Sequence, residues 1–200
     1  MKKKFRFALL TAVLFMIPLQ NYAQAFEKGA NYITLGFGLD PYGKAPRYEE
    51  GDNYKNTSFG PIILAYEHGI TEKLGIGRIG IGGAVAQSFY TNRSYHKKNY
   101  YEYKSNRART TIAFRAAYHF DFGVEKLDVY AGIGGALHII TDTYSTDNPF
   151  DPTYGYKRKS ISGGPSVYGG VRFLFTKNFG MYAEAGYDIS VLNGGFVFKF

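Results

Sequence analysis

The chain has 200 residues, enough for a single domain, and it contains 19 Tyr, 17 Phe and 25 Gly. It has no Cys, which excludes disulfides and thiolate metal sites. Its formal net charge of +8 falls to +4 without the first 25 residues, which carry four basic residues and no acid. The charge therefore gives little support to a nucleic-acid partner, and we expect none.

The first 25 residues are typical of a secretory signal peptide. Their basic residues precede an apolar run of 11 residues, Phe7–Ile17, which is shorter than the ~20 residues of a membrane span. Ala23-Gln24-Ala25 matches the small-x-small site of signal peptidase. We predict a signal peptide over residues 1–25, cleaved near Ala25, and an exported domain over residues 26–200. The alternative is an uncleaved anchor or an amphipathic helix.

Beyond this segment, apolar residues recur at every second position, the pattern of a strand with one apolar face. No apolar run in this part approaches the length of a transmembrane helix. The alternation predicts eight strands, at approximately Asn31–Leu39, Ser58–His68, Gly75–Phe89, Arg107–Phe120, Leu127–Ile140, Ile161–Phe175, Gly180–Ile189 and Gly194–Phe200. Eight strands without helices predict an all-β fold, an antiparallel up-and-down β-barrel.

The two faces of the predicted strands differ in kind. In Arg109–Phe120, for example, Ile112 and Phe114 share one face, and Arg115 and His119 share the other. An apolar outer face with charged and small residues inside is typical of a transmembrane β-barrel. The alternative is a soluble, lipocalin-like barrel with the faces reversed. Glycine among the charged residues favours a crowded lumen and therefore the membrane barrel.

The charged face predicts a polar network inside the barrel. Its members are Glu67, Arg78, Arg115, His119, Asp128, His138, Arg172, Glu184, Asp188 and Lys199. Because buried charges are costly unless paired, we expect the Lys and Arg residues to pair with the Asp and Glu residues. A barrel of eight strands is just wide enough for its side chains to fill it, so we predict a plugged lumen without an open pore. The alternative is a gated conduit in which these pairs rearrange.

Three long predicted connections alternate with short turns. The long ones are Asp40–Thr57, Tyr90–Asn106 and Thr141–Ser160, and this asymmetry is typical of outer-membrane barrels, whose long loops face outward. The second loop is rich in tyrosine and carries a net charge of +3, which suits lipopolysaccharide phosphates or another anionic partner. Its candidate contact residues are Tyr95, Lys97, Lys98, Tyr100, Tyr101 and Lys104. The alternative is a solvated loop whose tyrosines belong to the interfacial girdle.

The terminal segment Gly194–Phe200 alternates phenylalanine with other residues and ends on Phe200. With this segment, the chain resembles the small outer-membrane barrels of Gram-negative bacteria, the OmpA, OmpX and OmpW group. Its Gly-rich strands look most like barrels from Bacteroidota. The resemblance implies a transmembrane barrel in the outer membrane, surrounded by membrane lipids and lipopolysaccharide. It also implies that the barrel-assembly machinery recognises the final strand through Phe198 and Phe200.

No motif predicts a cofactor, a metal or a catalytic centre. Gly75–Gly80 matches the GxGxxG dinucleotide fingerprint, but the segment after it favours a strand where the fingerprint requires a helix. The four histidines lack the spacing of metal ligands. No Ser, His and acid form a recognisable catalytic set. We therefore predict that the protein is not an enzyme and needs no cofactor.

The sequence thus predicts an outer-membrane barrel that acts as a structural or surface-interaction protein through its extracellular loops. The first alternative is transport of small hydrophobic solutes of the OmpW kind, which the apolar inward residues Ile63 and Leu174 suggest. The second alternative is an enzyme that modifies lipid A.

Overall fold

The computed structural model describes residues 25–40, 53–96, 101–148, 150, 155–187 and 189–200. Eight antiparallel strands form a closed barrel in which each strand pairs with its sequence neighbours and the last pairs with the first. They are β1 (Asn31–Leu39), β2 (Asn53–Gly69), β3 (Gly77–His96), β4 (Tyr101–Phe120), β5 (Leu127–Thr146), β6 (Lys157–Leu174), β7 (Phe179–Tyr187) and β8 (Leu192–Lys199). The predicted eight-stranded up-and-down barrel is confirmed. No helix long and apolar enough to cross a membrane occurs among the described residues.

The alternation in the sequence places apolar side chains outside the barrel and charged side chains inside. Phe114 and Ile133 are 63% and 67% exposed on the outer surface. Arg115 and His119, on the opposite face of β4, are directed into the lumen with side-chain exposures of 13% and 2%. Because side chains alternate between the faces of a strand, the period of two fixes both surfaces at once.

The eight strands differ in length, and this gives the barrel two different ends. Short turns join β2 to β3, β4 to β5 and β6 to β7 at one end, which we call the turn end. At the opposite end β2–β6, with 17 to 20 residues each, continue past β1, β7 and β8, which have only eight or nine. We call this extension the projecting sheet; it comprises residues 53–59, 88–96, 101–109, 140–146 and 157–165.

The predicted strand boundaries are wrong at this end. Segments assigned to the three long loops are paired strands: Asn53 lies opposite Tyr95, Tyr103 opposite Thr146, and Lys157 opposite Thr143. Both faces of the projecting sheet carry polar residues, so the apolar alternation on which the boundaries depended disappears there. Tyrosine and threonine still favour extended backbone, and cross-strand pairing continues beyond the apolar region.

Candidate functional site

The lumen is filled by layers of side chains that follow the inward positions of β4. Nearest the turn end, residues before β1 fold into the barrel, and Phe26 stacks on His119 with ring centroids 3.5 Å apart. The Tyr32 hydroxyl donates to the Ala25 carbonyl at 2.7 Å. Phe26 and Tyr32 form a buried apolar cluster with Leu174 and Val197, and this cluster closes the turn end.

Above this cluster lies a network of two cations and two carboxylates. His119 Nδ1 is 2.8 Å from Asp128 Oδ1, and His119 Nε2 is 2.9 Å from Glu67 Oε1. Arg172 donates to the same two carboxylates. An imidazolium satisfies this arrangement by donating from both nitrogens, which makes the group neutral as a whole. Four strands, β2, β4, β5 and β6, are tied together by these contacts.

A second ion pair continues the polar layer. Arg115 Nη2 lies 2.5 Å from Glu184 Oε2, and the Tyr130 hydroxyl donates to the same oxygen at 3.0 Å. The Arg115 guanidinium also stacks over the Tyr168 ring, 3.6 Å from its centroid. A cavity of about 20 Å³ remains beside these residues. That is room for about one water molecule, so side chains fill most of this part of the lumen.

An apolar layer separates this network from the projecting end. It consists of small and branched residues that are buried together: Ile63, Ala84, Ala86, Ala113, Ala136 and Ile189. On β4 this layer lies at Ala113, one inward position above Arg115. The lumen is therefore closed by packing as well as by ion pairs.

A second polar layer lies above the apolar one. Arg109 Nη1 is 2.8 Å from Asp40 Oδ1, and its Nη2 is 3.0 Å from His138 Nδ1. Next along β4, Arg107 donates to Asp142 from Nε at 2.7 Å and from Nη2 at 3.1 Å. These hydrogen bonds raise the pKa of Arg107 above its ordinary value. The predicted network omitted Arg109, although this residue shares the inward face of β4 with Arg115 at a spacing of six residues.

A larger cavity of about 350 Å³ lies at the base of the projecting sheet. We call it the rim cavity; it is lined by Tyr90, Arg107, Arg109, His138, Ile140, Ser162–Pro165 and Tyr187. β6 pairs with β7 only from Val167 toward the turn end. Among the described residues, the β6 part of the wall therefore pairs with β5 alone.

The remaining predicted network residues have different partners from those expected. Arg78 contacts Asp121 at 3.3 Å beside a short turn, and Lys199 contacts Glu27 at 2.7 Å. Both acids lie outside the strands, where the alternation gave no signal. Asp188 lies outside the described residues.

The predicted loop contacts are only partly described. Tyr95 lies in β3, and Tyr101 and Lys104 lie in β4, rather than in a loop. Lys97, Lys98 and Tyr100 lie outside the described residues. At the other end of the chain, Phe198 and Phe200 both point outward from the barrel, about half exposed.

Three cations lie side by side on the outer face of the projecting sheet. Lys55 of β2 pairs in register with Arg93 of β3, which pairs with Lys104 of β4. Lys55 and Arg93 are exposed, Lys104 is half-buried, and Glu102 approaches Arg93 to 3.9 Å. Like charges directly opposite one another destabilise a sheet. We call these three residues the cation row.

The cation row lies just beyond the apolar surface of the barrel. The cross-strand pair Phe59 and Phe89, four residues closer to the turn end on β2 and β3, is about half exposed on the same outer face. Four residues span about 13 Å along a strand. A strand tilt of about 40° reduces this to a height of about 10 Å.

Within the described part of the chain, no three His, Asp or Glu side chains form a cluster suited to a metal ion.

No protein-family model and no curated protein matches the chain. Similar solved structures include the outer membrane protein OprG from Pseudomonas aeruginosa, 13% identical, covering 89% of this chain and 99% of OprG with a TM-score of 0.54. Another is Ail, the attachment invasion locus protein of Yersinia pestis, solved in complex with the heparin analogue sucrose octasulfate. It is 12% identical, and the match covers 86% of this chain and 99% of Ail with a TM-score of 0.47. The N-terminal β-barrel domain of Pseudomonas aeruginosa OprF is 14% identical, and the match covers 88% of this chain and 100% of that domain with a TM-score of 0.44. The likeness to OprG confirms the predicted resemblance to small outer-membrane barrels at the level of the fold.

Proposed function

We propose that this chain is an outer-membrane protein that acts without catalysis, through the projecting sheet on its rigid barrel. The apolar outer surface supports the location, because each strand of the closed barrel contributes exposed aliphatic or aromatic side chains. Examples are Leu35, Leu64, Val85, Phe114, Ile133, Val167, Met181 and Phe196. Soluble monomers rarely expose a continuous apolar surface of this kind. The fold that the chain shares with OprG agrees with this location.

The cation row is the observation that carries the interaction we propose, contact with lipopolysaccharide phosphates. The row lies about 10 Å beyond the apolar surface, at the height of a lipid headgroup layer. Anionic phosphates between Lys55, Arg93 and Lys104 relieve the repulsion that these neighbours impose on the sheet. The predicted lipopolysaccharide contact is thereby moved from loop two to the outer face of three strands.

The test replaces all three cations with glutamine in the full exported chain, folded into bilayers. The matched control replaces Lys28, Lys73 and Lys177, which are exposed near the turn end, so that both variants lose three charges. Each cation near an anionic surface contributes about 1 kcal/mol, so we expect binding of lipopolysaccharide to fall about 100-fold only in the cation-row variant. An equal loss in both variants, or none in either, contradicts the proposal.

The final strand supports a proposed interaction with the barrel-assembly machinery. Phe198 and Phe200 are exposed on the outer face of the strand end, where a second protein has access to them. Replacing both with serine is expected to slow assembly into bilayers that contain the machinery. The rate of folding into detergent without the machinery should change less.

Transport of small hydrophobic solutes has less support than surface interaction. Ile63 packs in the apolar layer that closes the lumen, and Leu174 packs in the cluster at the turn end. Neither residue lines an apolar passage through the barrel. Planar-bilayer recordings of the folded chain are expected to show no sustained conductance; a steady current would favour the conduit instead.

The absence of catalysis is also part of the proposal. We expect lipid A from cells with and without the gene to give identical mass spectra. A missing acyl chain or a mass change that depends on the gene would favour a lipid-modifying enzyme.

A further inference from the structure

The rim cavity has a polar wall made of hydrogen-bond donors. Arg107 and Arg109 line it, whereas the carboxylates that pair with them, Asp142 and Asp40, are not part of the lining. His138 accepts from Arg109 at Nδ1, so its own N–H donor is at Nε2. A ligand group that faces Arg107 or Arg109 must therefore accept hydrogen bonds.

Arg107 has donor capacity beyond its ion pair. It uses Nε and Nη2 toward Asp142. Its Nη1 group makes no hydrogen bond with any described residue, and a guanidinium carries five N–H donors in a rigid fork. The Ser162 hydroxyl, which lines the same cavity, is likewise without a partner among the described residues. Both groups suit the oxygens of a carboxylate or phosphate.

The rest of the wall is apolar and close to the barrel exterior. Ile140, Pro165 and the rings of Tyr90 and Tyr187 face the same space. A side chain built on Gly164 would meet no atom within 4 Å of its Cβ, so this part of β6 borders open space. A few placed polar groups in a mainly apolar cavity of about 300 Å³ or more are characteristic of small-molecule sites.

We propose that the rim cavity binds a small amphipathic anion, whose acidic head lies on Arg107 and whose apolar body packs against Ile140, Pro165 and Tyr187. The cavity ends at the apolar layer below it, so the ligand is held there rather than conducted through the barrel. Its volume of about 350 Å³ equals that of about a dozen water molecules in the liquid, which suits a medium-chain carboxylate. This inference is independent of lipopolysaccharide binding at the cation row.

The experiment uses the full exported chain in lipid nanodiscs and a decanoate that carries a diazirine in its alkyl chain. Irradiation should label residues around the rim cavity. Mass spectrometry of peptides would identify the labelled residues. Unlabelled decanoate should compete for labelling at least tenfold better than decanol, which has the same apolar body without the charge. Acetate, with the charge alone, should not compete.

Two variants connect the labelling to the cavity. Gly164→Leu fills the space and is expected to reduce labelling at least tenfold. Gly169→Leu, the matched control, adds the same side chain on the outer face of β6 outside the cavity lining, where the nearest atom is 3.5 Å from the new Cβ. A double variant, Arg107→Gln with Asp142→Asn, removes the head-binding donor without leaving an unpaired carboxylate and should abolish the preference for decanoate over decanol.

Three results would overturn the proposal. They are unchanged labelling in Gly164→Leu, an equal loss in Gly169→Leu while both variants remain folded by heat-modifiability, and equal competition by decanol. Nanodiscs that contain an anionic phospholipid distinguish the source of the ligand. Reduced labelling there identifies a bilayer lipid as the anion, and unchanged labelling identifies a free amphiphile, both of which support the site.

Discussion

His119 shows how single residues hold this lumen together. Its two ring nitrogens contact carboxylates from β2 and β5, its ring stacks on Phe26, and Arg172 contacts both carboxylates from the opposite side. None of these charged side chains could be buried alone, because an unpaired charge in a low-dielectric interior costs several kcal/mol. The network therefore fixes the relative positions of the strands that carry it.

We expect Arg172→Met to be strongly destabilising, since it leaves Glu67 and Asp128 with His119 as their only cation in the network. Breaking one partner of a buried ion pair typically costs about 3–5 kcal/mol. The measurement is the free energy of unfolding in urea with the chain folded into vesicles. Arg158→Met, an exposed arginine on the same strand, should change it by less than about 0.5 kcal/mol.

The double variant Arg172→Met with Glu67→Gln tests the electrostatic origin of the effect. It removes one charge of each sign, so it should be less destabilising than Arg172→Met alone. Equal losses in the single and double variants would show that lost packing, rather than unpaired charge, dominates.

Among the elements, β5 and β6 show why glycine is frequent in the inward positions. Tyr130 of β5 lies in register with Gly170 of β6, and its ring covers the glycine. A Cβ on Gly170 would lie 2.6 Å from the Tyr130 hydroxyl oxygen and 2.7 Å from the Ala183 carbonyl oxygen. Large and small residues thus alternate across neighbouring strands, which lets tyrosines lie across a narrow lumen.

Gly170→Ala is expected to destabilise the barrel by about 1–3 kcal/mol, because the methyl group overpacks a filled interior. Gly135→Ala, on the outer face of β5, should have little effect because no atom approaches its Cβ within 4.0 Å. Urea unfolding of both variants checks this. Similar stabilities for the two would indicate that the lumen repacks around the added methyl group.

Among the described residues, the projecting sheet differs from the closed barrel in having no strand beside its two outer edges. Within the described part of the chain, residues 157–165 of β6 pair with β5 alone, whereas Val167–Leu174 also pair with β7. Strand segments with an unpaired edge open more readily than those inside a closed sheet. We expect amide hydrogens in residues 157–165 to exchange at least tenfold faster than those in Val167–Leu174, as peptide-level exchange would measure. Equal protection would indicate that another segment or a partner covers this edge.

For the whole molecule, closure of the barrel and filling of its lumen predict resistance to detergent. Every strand pairs on both sides over the closed part, so any local opening exposes two unpaired strand edges, and we expect unfolding to be cooperative. We expect unboiled protein from outer membranes to migrate differently from boiled protein on a denaturing gel. A soluble periplasmic protein without a mobility shift would contradict both the location and the proposed function.

The residue pattern is enough to predict the fold and the two faces of the wall, because a period of two specifies which side chains share a face whatever their partners are. The same alternation identified Glu67, Arg115, His119, Asp128, Arg172 and Glu184 as inward residues. It could not locate the strand ends in the projecting sheet, where both faces are polar and pairing between chain segments, rather than local hydrophobicity, maintains the strands.

The contacts between inward residues depend on the folded barrel. Asp40 lies 69 residues from Arg109, and Glu27 approaches Lys199 from the opposite end of the chain. The cation row likewise depends on the register of three strands, which places Lys55, Arg93 and Lys104 side by side. Register and barrel closure are properties of the assembled sheet. They bring together residues that no local sequence pattern connects, and the proposed sites consist of such residues.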